Sequence, residues 1–309
     1  KKLIKEVNLS ESTIILAKES ISDGHEVNKI NQIRTLTNEE IEWYDTQKDI
    51  LMEFVNDFSL VEYVNLNYES FLELLNETVI KIAKEPSFIG SYPFKNFPFL
   101  LNTRILNYMM SVKTLLDHME TKINRRYGEA STEFVEFKAL TANEFDSKFS
   151  YRFMYKLRNF VQHCGMPPLS YTISKSLDET SSAINIKLIV YFMRDELIRD
   201  FSKWGTQVKN ELAQMDKSFP IIPIFNEHVN SILKVYILFN EKHHMEKISK
   251  AKEYITNFIG ERIDYIDDEY IITKLKKTEA GLNINKITIP TSALKKISDF
   301  YEIKENLFL

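Results

Sequence analysis

The chain has 309 residues, of which 44% are hydrophobic and 27% are charged, and its formal net charge is -4. This composition is typical of a globular protein, and the acidic balance excludes a polycation that binds nucleic acid through its whole surface. The single cysteine, Cys164, excludes an intrachain disulfide. No run approaches the roughly 18 apolar residues of a membrane span, so we expect a cytoplasmic protein with no membrane partner.

The N-terminal part of the chain is predicted to begin with short strands or an irregular arm and to continue as helices. The stretches LIKEVNL and STIILA are the candidate strands, with a turn at SISDGHEVN. Thr37 and Glu40 form a capping box, which predicts a helix through IEWYDTQKDILMEFVNDF. A second helix is predicted over about 67–84, and Pro86 ends it.

The central part of the chain carries the most regular helical pattern. The segment PSFIGSYPFKNFPF, rich in proline and phenylalanine, predicts an ordered loop held by its aromatic side chains. The longest helix is predicted from about Leu100 to Tyr127, with Gly128 as its cap. Residues 129–149 are polar and aromatic, and a short helix fits there.

Beyond Leu169 the pattern predicts two hairpins and several helices. LSYTISKS and AINIKLIVYF alternate like the strands of one hairpin, and YIITKLKKTEAGLNINKITIP predicts a second hairpin around 279–281. Helices are predicted for MRDELIRDFSKWGTQVKNELAQM, for about 225–245 and 246–260, and for SALKKISDFYEI, with SFPIIPIF as an extended linker. The predicted fold class is therefore mainly α, with one or two small β hairpins.

One helix and its exit, YRFMYKLRNFVQHCGMPPL over 151–169, contain the residues most suited to chemistry. The apolar positions fall at helical spacing and predict a buried stripe of Phe153, Leu157, Phe160 and Val161. Gly165 and the prolines after it end the helix. His163 is therefore expected in the last turn, with Arg158 and Asn159 about one turn earlier and Asn159 on the same face as His163.

The sequence RNFVQH resembles the motif of the HEPN superfamily, in which an arginine and a polar residue precede a histidine near a helix end. HEPN domains are four-helix bundles that usually dimerise, and many are metal-independent endoribonucleases whose arginines and histidines meet at the dimer cleft. The resemblance covers about residues 98–170. It implies an N-terminal helical arm (1–90), a core HEPN-like bundle (91–170) and a C-terminal hairpin with helices that complete or extend the bundle (171–309).

The resemblance also implies a function and partners. The expected substrate is RNA, the expected assembly is a homodimer, and no cofactor is expected. His163 would act as general acid or base, Arg158 would bind and stabilise the scissile phosphate, and Asn159 would position one of them. Such domains are common in bacterial defence and toxin systems, so a neutralising or regulatory partner protein is also expected.

Two alternatives from other functional classes follow from the same residues. In one, the chain is a catalytically silent module that binds RNA or a nucleotide at the same cleft. In the other, the chain is a structural or regulatory dimer in which Arg158 and His163 build the interface. A nuclease requires both side chains to be reachable by solvent, whereas an interface role predicts burial with every polar atom hydrogen-bonded.

Other residues near the motif are candidates for binding RNA or supporting catalysis. Aromatic rings can stack on unpaired bases and basic side chains can bind phosphate. The candidates for RNA contact are Arg152, Tyr155, Lys122, Arg125 and Arg126. Each has a structural alternative, because tyrosines near a motif are often core residues and cations are common at helix C-termini.

Asp117 is a candidate to orient His163, and a solvated surface pair with His118 is its alternative. His243 and His244, beside two glutamates, match no metal-binding spacing and are expected on a solvated helix face. The sequence therefore predicts no metal site.

Overall fold

The computed structural model describes residues 13–21, 28–177, 184–260, 263, 270–278 and 281–308. The protein is mainly α, as predicted, with two small antiparallel sheets. Within those residues, each helix is too short or too polar to cross a membrane. The chain forms two compact units, one of Lys1–Phe58 with Asn240–Leu309 and one of Ser59–Phe239. The three-part division expected from the sequence is a different partition and stays a prediction.

The strands and helices follow one another along the chain with short connections. The first half contains β1 (Thr13–Ile21), β2 (Asn28–Thr35), α1 (Asn38–Lys84), a 3-10 helix (Pro86–Gly90), α2 (Tyr92–Lys95), α3 (Phe97–Tyr127), α4 (Thr132–Ser147) and α5 (Phe149–Cys164). The second half contains β3 (Leu169–Leu177), β4 (Ile184–Met193), α6 (Arg194–Asp200), α7 (Thr206–Gln214), β5 (Ser218–Pro220), α8 (Ile221–His243), α9 (Met245–Ile259), β6 (Tyr270–Thr278), β7 (Gly281–Thr288) and α10 (Thr291–Phe308).

The unit of Lys1–Phe58 and Asn240–Leu309 is built on an antiparallel sheet in the order β2-β1-β6-β7. Ile15, Ala17, Ile271 and Leu275 form a buried cluster on this sheet. The predicted capping box of α1 is confirmed, since the Glu40 N–H donates to Thr37 Oγ1 (3.1 Å) and the Thr37 N–H donates to Glu40 Oε2 (2.8 Å). The Thr37 N–H is also the main reason that the pKa of Glu40 lies below its usual value.

Helix α1 is one continuous helix of 47 residues, whereas the sequence predicted two helices with a break between them. Val61 and Val64 are buried and continue the apolar stripe from Phe58 to Phe71 across the expected break. The range 38–84 contains neither glycine nor proline, so nothing in the backbone interrupts the helix. Helix α1, and not α3, is therefore the longest helix.

Several other boundaries differ from the prediction. The aromatic segment after Pro86 contains the 3-10 helix and α2, and the segment 129–149 contains a full helix of 16 residues, α4. The single helix predicted after β4 is two short helices, α6 and α7, because Gly205 has φ +80° and redirects the chain between them. The predicted linker SFPIIPIF contributes strand β5 and the first turn of α8.

Both predicted hairpins are confirmed. Strands β3 and β4 pair from Leu169 opposite Phe192 to Leu177 opposite Ile184, and β5 adds a third strand beside β4. Strands β6 and β7 form the second hairpin. The candidate strand LIKEVNL and the centre of the turn SISDGHEVN lie outside the described residues, whereas STIILA lies largely in β1.

In the unit of Ser59–Phe239, helix α4 packs against α3, and an extended residue, Lys148, separates α4 from α5. Lys138 of α4 pairs with Glu120 of α3 at 3.1 Å. Further along, Tyr108 of α3 and Tyr151 of α5 both lie 5.7 Å from the His228 ring, measured between ring centroids. Beyond the exit of α5, Tyr171 of β3 contacts Phe94 and Phe97 edge-on, at centroid distances of 5.8 and 5.6 Å, beside the start of α3.

The predicted end of α3 is also confirmed. Gly128 has φ +87°, and its N–H donates to the Asn124 carbonyl oxygen at 2.8 Å.

Candidate functional site

The buried face of α5 fixes the helix that carries the RNFVQH motif. Phe153, Leu157 and Phe160 are buried, as predicted, while Val161 is half-buried. The Trp204 ring stacks on Phe153 and Phe160, at centroid distances of 5.6 and 5.9 Å. This aromatic packing holds one side of α5 in place, so the opposite side is free to face solvent.

The exit of α5 is the one that the sequence predicts. His163 lies in the last turn and is exposed. Gly165 follows with φ +105° and ψ -167°, a region of backbone conformation that is essentially restricted to glycine. The Cys164 thiol donates to the Asp200 carbonyl oxygen at 3.2 Å. These contacts fix the backbone beside His163 and leave its imidazole at the surface.

Arg158 and His163 do not face the same side of α5. Five residues in a helix correspond to a rotation of roughly 140°, so the two side chains diverge within one protomer. Arg158 and Asn159 are half-buried. The Nε of Arg158 is buried and makes no hydrogen bond within the described part of the chain. Asn159 lies one turn before His163 on nearly the same face, as predicted.

Arg152 is not available to RNA, which corrects the prediction that it contacts the substrate. Only 4% of the residue is exposed. Its guanidinium donates to Glu211 Oε1 at 2.5 Å and to the Phe145 carbonyl oxygen at 2.5 Å. Helices α4, α5 and α7 are therefore joined through Arg152, which is a structural residue.

The basic end of α3 lies far from the motif. The C-terminal turn of α3 leads into α4, whereas Tyr171, shortly after the exit of α5, contacts Phe97 at the opposite end of α3. Arg125 is separated from Phe97 by roughly 42 Å along the helix axis. The remaining predicted RNA contacts there are Lys122, Arg125 and Arg126, and they form a second surface rather than part of the motif site.

Tyr155 remains close to the motif on α5 and is 52% exposed. Its ring contacts Phe145 edge-on, and the Lys156 ammonium lies 5.7 Å from its centroid. An exposed ring one turn before Arg158 and Asn159 is suited to stacking on a base.

Asp117 does not orient His163 in this structure, contrary to the prediction. Its carboxylate pairs with Lys113 one turn earlier on α3. No hydrogen bond or ion pair links Asp117 to His163 among the described residues. The residue belongs to the solvated surface of α3.

A buried polar network in the same unit was not predicted. The Tyr108 hydroxyl is hydrogen-bonded to His228 Nδ1 at 2.7 Å, and His228 is 5% exposed. Burial lowers the pKa of His228 to about 3 and raises the pKa of Tyr108 well above its usual value. The sequence around His228, EHVNSILKVYILF, shows only an apolar helix, which gives no sign of a hydrogen-bonded core histidine.

A second part of this network surrounds Glu144 of α4. The Ser231 hydroxyl and the Lys234 ammonium both donate to its carboxylate at 2.7 Å. Burial, and then the nearby Glu144 charge, raise the pKa of Tyr151. These hydrogen bonds join α4 to α8, and the contact between the Tyr151 and His228 rings joins α5 to α8.

Within the described residues, no three histidine, cysteine, aspartate or glutamate side chains are grouped so as to hold a metal ion. Comparisons with protein-family models, with curated proteins and with solved structures found no match. The functional argument therefore depends on the site itself.

Proposed function

We propose that the protein is a metal-independent endoribonuclease of HEPN type that acts as a homodimer. The observation that carries this proposal is the placement of the motif on α5. His163 is exposed in the last turn, and five residues earlier Arg158 has a buried Nε that makes no hydrogen bond to any described residue. An interface or core role would instead favour burial with all polar atoms paired.

The chemistry requires proton transfers at two oxygens and stabilisation of a charged phosphorane. The ribose 2′-oxygen attacks phosphorus as its proton passes to a base, and the bond to the 5′-oxygen breaks as an acid protonates that oxygen. The products are a 2′,3′-cyclic phosphate and a 5′-hydroxyl. Histidine serves in either role because it changes charge near neutral pH.

Arg158 would bind the non-bridging oxygens of the phosphate and stabilise the charge that develops on them. Asn159, on the same face as His163, would position its imidazole. Since one protomer turns Arg158 and His163 to different sides of α5, the two-fold dimer would bring the arginine and histidine of both chains together. The same proposal places the protein in the cytoplasm, in a defence or toxin system, with a neutralising or regulatory partner protein.

The test is cleavage of a mixed pool of single-stranded and structured RNA in EDTA. The proteins compared are the wild type, His163→Ala and the control Gln162→Ala, which changes the exposed neighbour of His163. All three must have the same unfolding midpoint and oligomeric state. We expect cleavage by the wild type and the control, and a loss of at least about 100-fold in His163→Ala.

Two results would contradict the proposal. Equal cleavage by wild type and His163→Ala would place the activity elsewhere. Absence of cleavage by any of the three, with RNA binding retained, would instead favour the silent binding module.

A further inference from the structure

One side of α5 lies along the chain segment 200–211, which runs in the opposite direction. Near the start of α5, the Arg152 guanidinium donates to Glu211 Oε1 at 2.5 Å. At the end of α5, the Cys164 thiol donates to the Asp200 carbonyl oxygen at 3.2 Å. These two contacts fix which residues of the segment lie beside each turn of α5.

Lys156 lies in the middle of this contact and is half-buried. Its Cε lies 3.9 Å from the position that a Cβ on Gly205 would occupy, so its aliphatic stem rests beside the residue that precedes α7. Lysine often covers apolar surface with its methylenes while its ammonium stays in water. If Lys156 had that role alone, methionine, whose side chain is also unbranched, would replace it without loss.

Lys156 also shares a face of α5 with His163. The two residues are seven positions apart, which is nearly two turns, so their side chains leave the helix in directions that differ by roughly 20°. Asn159 lies between them along the helix, within roughly 60° of Lys156. Arg158 is turned roughly 140° away from His163. Within one protomer, Lys156 and not Arg158 therefore lies on the side of α5 that presents His163.

The positive charge of Lys156 is not neutralised by its neighbours. Among the described residues, its ammonium forms no ion pair and no hydrogen bond. The carboxylates at the two ends of the contact are bonded elsewhere, since Glu211 pairs with Arg152 at 2.5 Å and Asp200 pairs with Arg199 at 2.6 Å. The first turn of α7 contains no acidic residue. The ammonium is therefore available to an anion that approaches the face of His163.

We propose that Lys156 binds a backbone phosphate of the RNA beside the scissile phosphate, so that the strand runs along α5 past His163. This inference rests on the proposed function. Lys156 precedes His163 by roughly 10 Å along the helix axis. Side chains of a helix lean toward its N-terminus, so the Lys156 stem is directed away from His163 and toward a neighbouring phosphate. Such a contact adds affinity without reading the base sequence.

The direct test is the salt dependence of binding to a single-stranded oligodeoxynucleotide, which lacks the attacking 2′-hydroxyl. The variants of the full chain are Lys156→Met, which keeps an unbranched stem without the charge, and Lys156→Arg, which keeps the charge. Lys84→Met, which removes an exposed lysine at the end of α1, is the control. The unfolding midpoints of all variants should equal that of the wild type.

Each phosphate contact to a single strand contributes about 0.7 to the slope of the logarithm of the binding constant against the logarithm of the salt concentration. We therefore expect Lys156→Met to weaken binding and to reduce this slope by about 0.7, whereas Lys156→Arg and Lys84→Met should keep the wild-type slope. An unchanged slope in Lys156→Met, or a wild type that does not bind the strand, would overturn the proposal.

Cleavage then locates the phosphate. In an RNA that is cut at a known position, each neighbouring phosphate is replaced in turn by an uncharged methylphosphonate. We expect one replacement to raise the KM of the wild type about 10-fold with kcat nearly unchanged, as loss of a charged hydrogen bond made equally in the ground and transition states implies.

Lys156→Met should show the same rise in KM with the unmodified RNA and no further rise with that replacement, because the contact is already lost. Losses that add at every position would contradict a contact between Lys156 and a neighbouring phosphate. Absence of cleavage in wild type would refute the nuclease proposal, while the salt dependence would still decide whether Lys156 binds phosphate.

Discussion

Two arginines on one helix, Arg152 and Arg158, differ in what surrounds their guanidinium groups. Arg152 is bonded to Glu211 and to a backbone carbonyl, and it has little exposure. Arg158 is half-buried, and its Nε makes no hydrogen bond within the part of the chain that the structure describes. A buried arginine that is hydrogen-bonded to a carboxylate and a carbonyl stabilises the fold. An arginine with a free N–H donor near an exposed histidine is suited to bind an anion.

Replacing Glu211 by alanine tests the structural role of Arg152. The change leaves a buried guanidinium without its carboxylate, so we expect the free energy of unfolding to fall by about 2–3 kcal/mol, at the lower end for buried pairs because Glu211 is partly exposed. Urea unfolding measures this change in the free energy of unfolding. RNA affinity of the folded variant should equal that of the wild type. A loss below about 0.5 kcal/mol would show that Arg152 does not need its partner.

His228 predicts a pH dependence of stability. Burial lowers its pKa to about 3 in the folded protein, against 6.5 for an ordinary histidine. Below pH 6.5 His228 binds a proton in the unfolded chain, whereas in the folded protein it binds one only near pH 3 and below. The free energy of unfolding therefore falls as the pH falls from 6.5 to 3. The expected slope is about 1.4 kcal/mol per pH unit, measured by urea unfolding between pH 7 and 4.

The control for this prediction removes both members of the hydrogen bond. In a double variant, His228→Leu with Tyr108→Phe, no buried donor or acceptor of the pair is left unpaired. The difference in slope between wild type and double variant isolates the contribution of His228. Identical slopes would mean that His228 is protonated in the folded protein or reaches solvent.

At the scale of elements, the end of α5 determines where His163 is presented. Gly165 has a backbone conformation that a side chain disfavours, and no atom lies within 4 Å of the position that a Cβ would occupy. We therefore expect Gly165→Ala to lower the free energy of unfolding by about 1–3 kcal/mol through backbone strain alone. The matched control is Gly90→Ala, where the added Cβ also meets no atom within 4 Å and no positive φ occurs. Equal stability of the two variants, measured by thermal unfolding, would contradict this account.

Local signals in the sequence were enough to predict the helices that begin at a capping box or end at a glycine, and the strands with alternating apolar residues. The capping box at Thr37 and Glu40, the glycines at 128 and 165, and the alternating strands of both hairpins depend on residues close in the chain. The missed features depend on distant contacts. The continuity of α1 rests on packing of Val61 and Val64, and the roles of Arg152 and His228 depend on Glu211 and Tyr108, which no local pattern connects to them.

At the scale of the whole molecule, the proposal depends on a site shared between two chains. One α5 helix turns Arg158 and His163 to different sides, so a single protomer does not assemble the catalytic pair. In the proposed dimer, the exposed His163 and the half-buried Arg158 would meet their counterparts across the two-fold axis.

Mixing two inactive variants tests this shared site. Arg158→Ala and His163→Ala should each lose cleavage, and after unfolding and refolding together about half of the dimers contain one chain of each. Such a heterodimer holds one intact arginine and one intact histidine, so we expect part of the activity to return. Each variant refolded alone is the control, and a mixture no more active than its components would contradict a site shared between chains.

The most direct test of the central claim is the chemistry of the product ends. A wild-type digest of RNA in EDTA is compared with a digest of the same RNA carrying a 2′-deoxyribose at the cleaved position. We predict 2′,3′-cyclic phosphate and 5′-hydroxyl ends on the RNA and no cleavage at the deoxyribose, because the 2′-oxygen is the nucleophile. Products with 3′-hydroxyl and 5′-phosphate ends, or equal cleavage at the deoxyribose, would show that water attacks phosphorus instead and would contradict the roles given to His163 and Arg158.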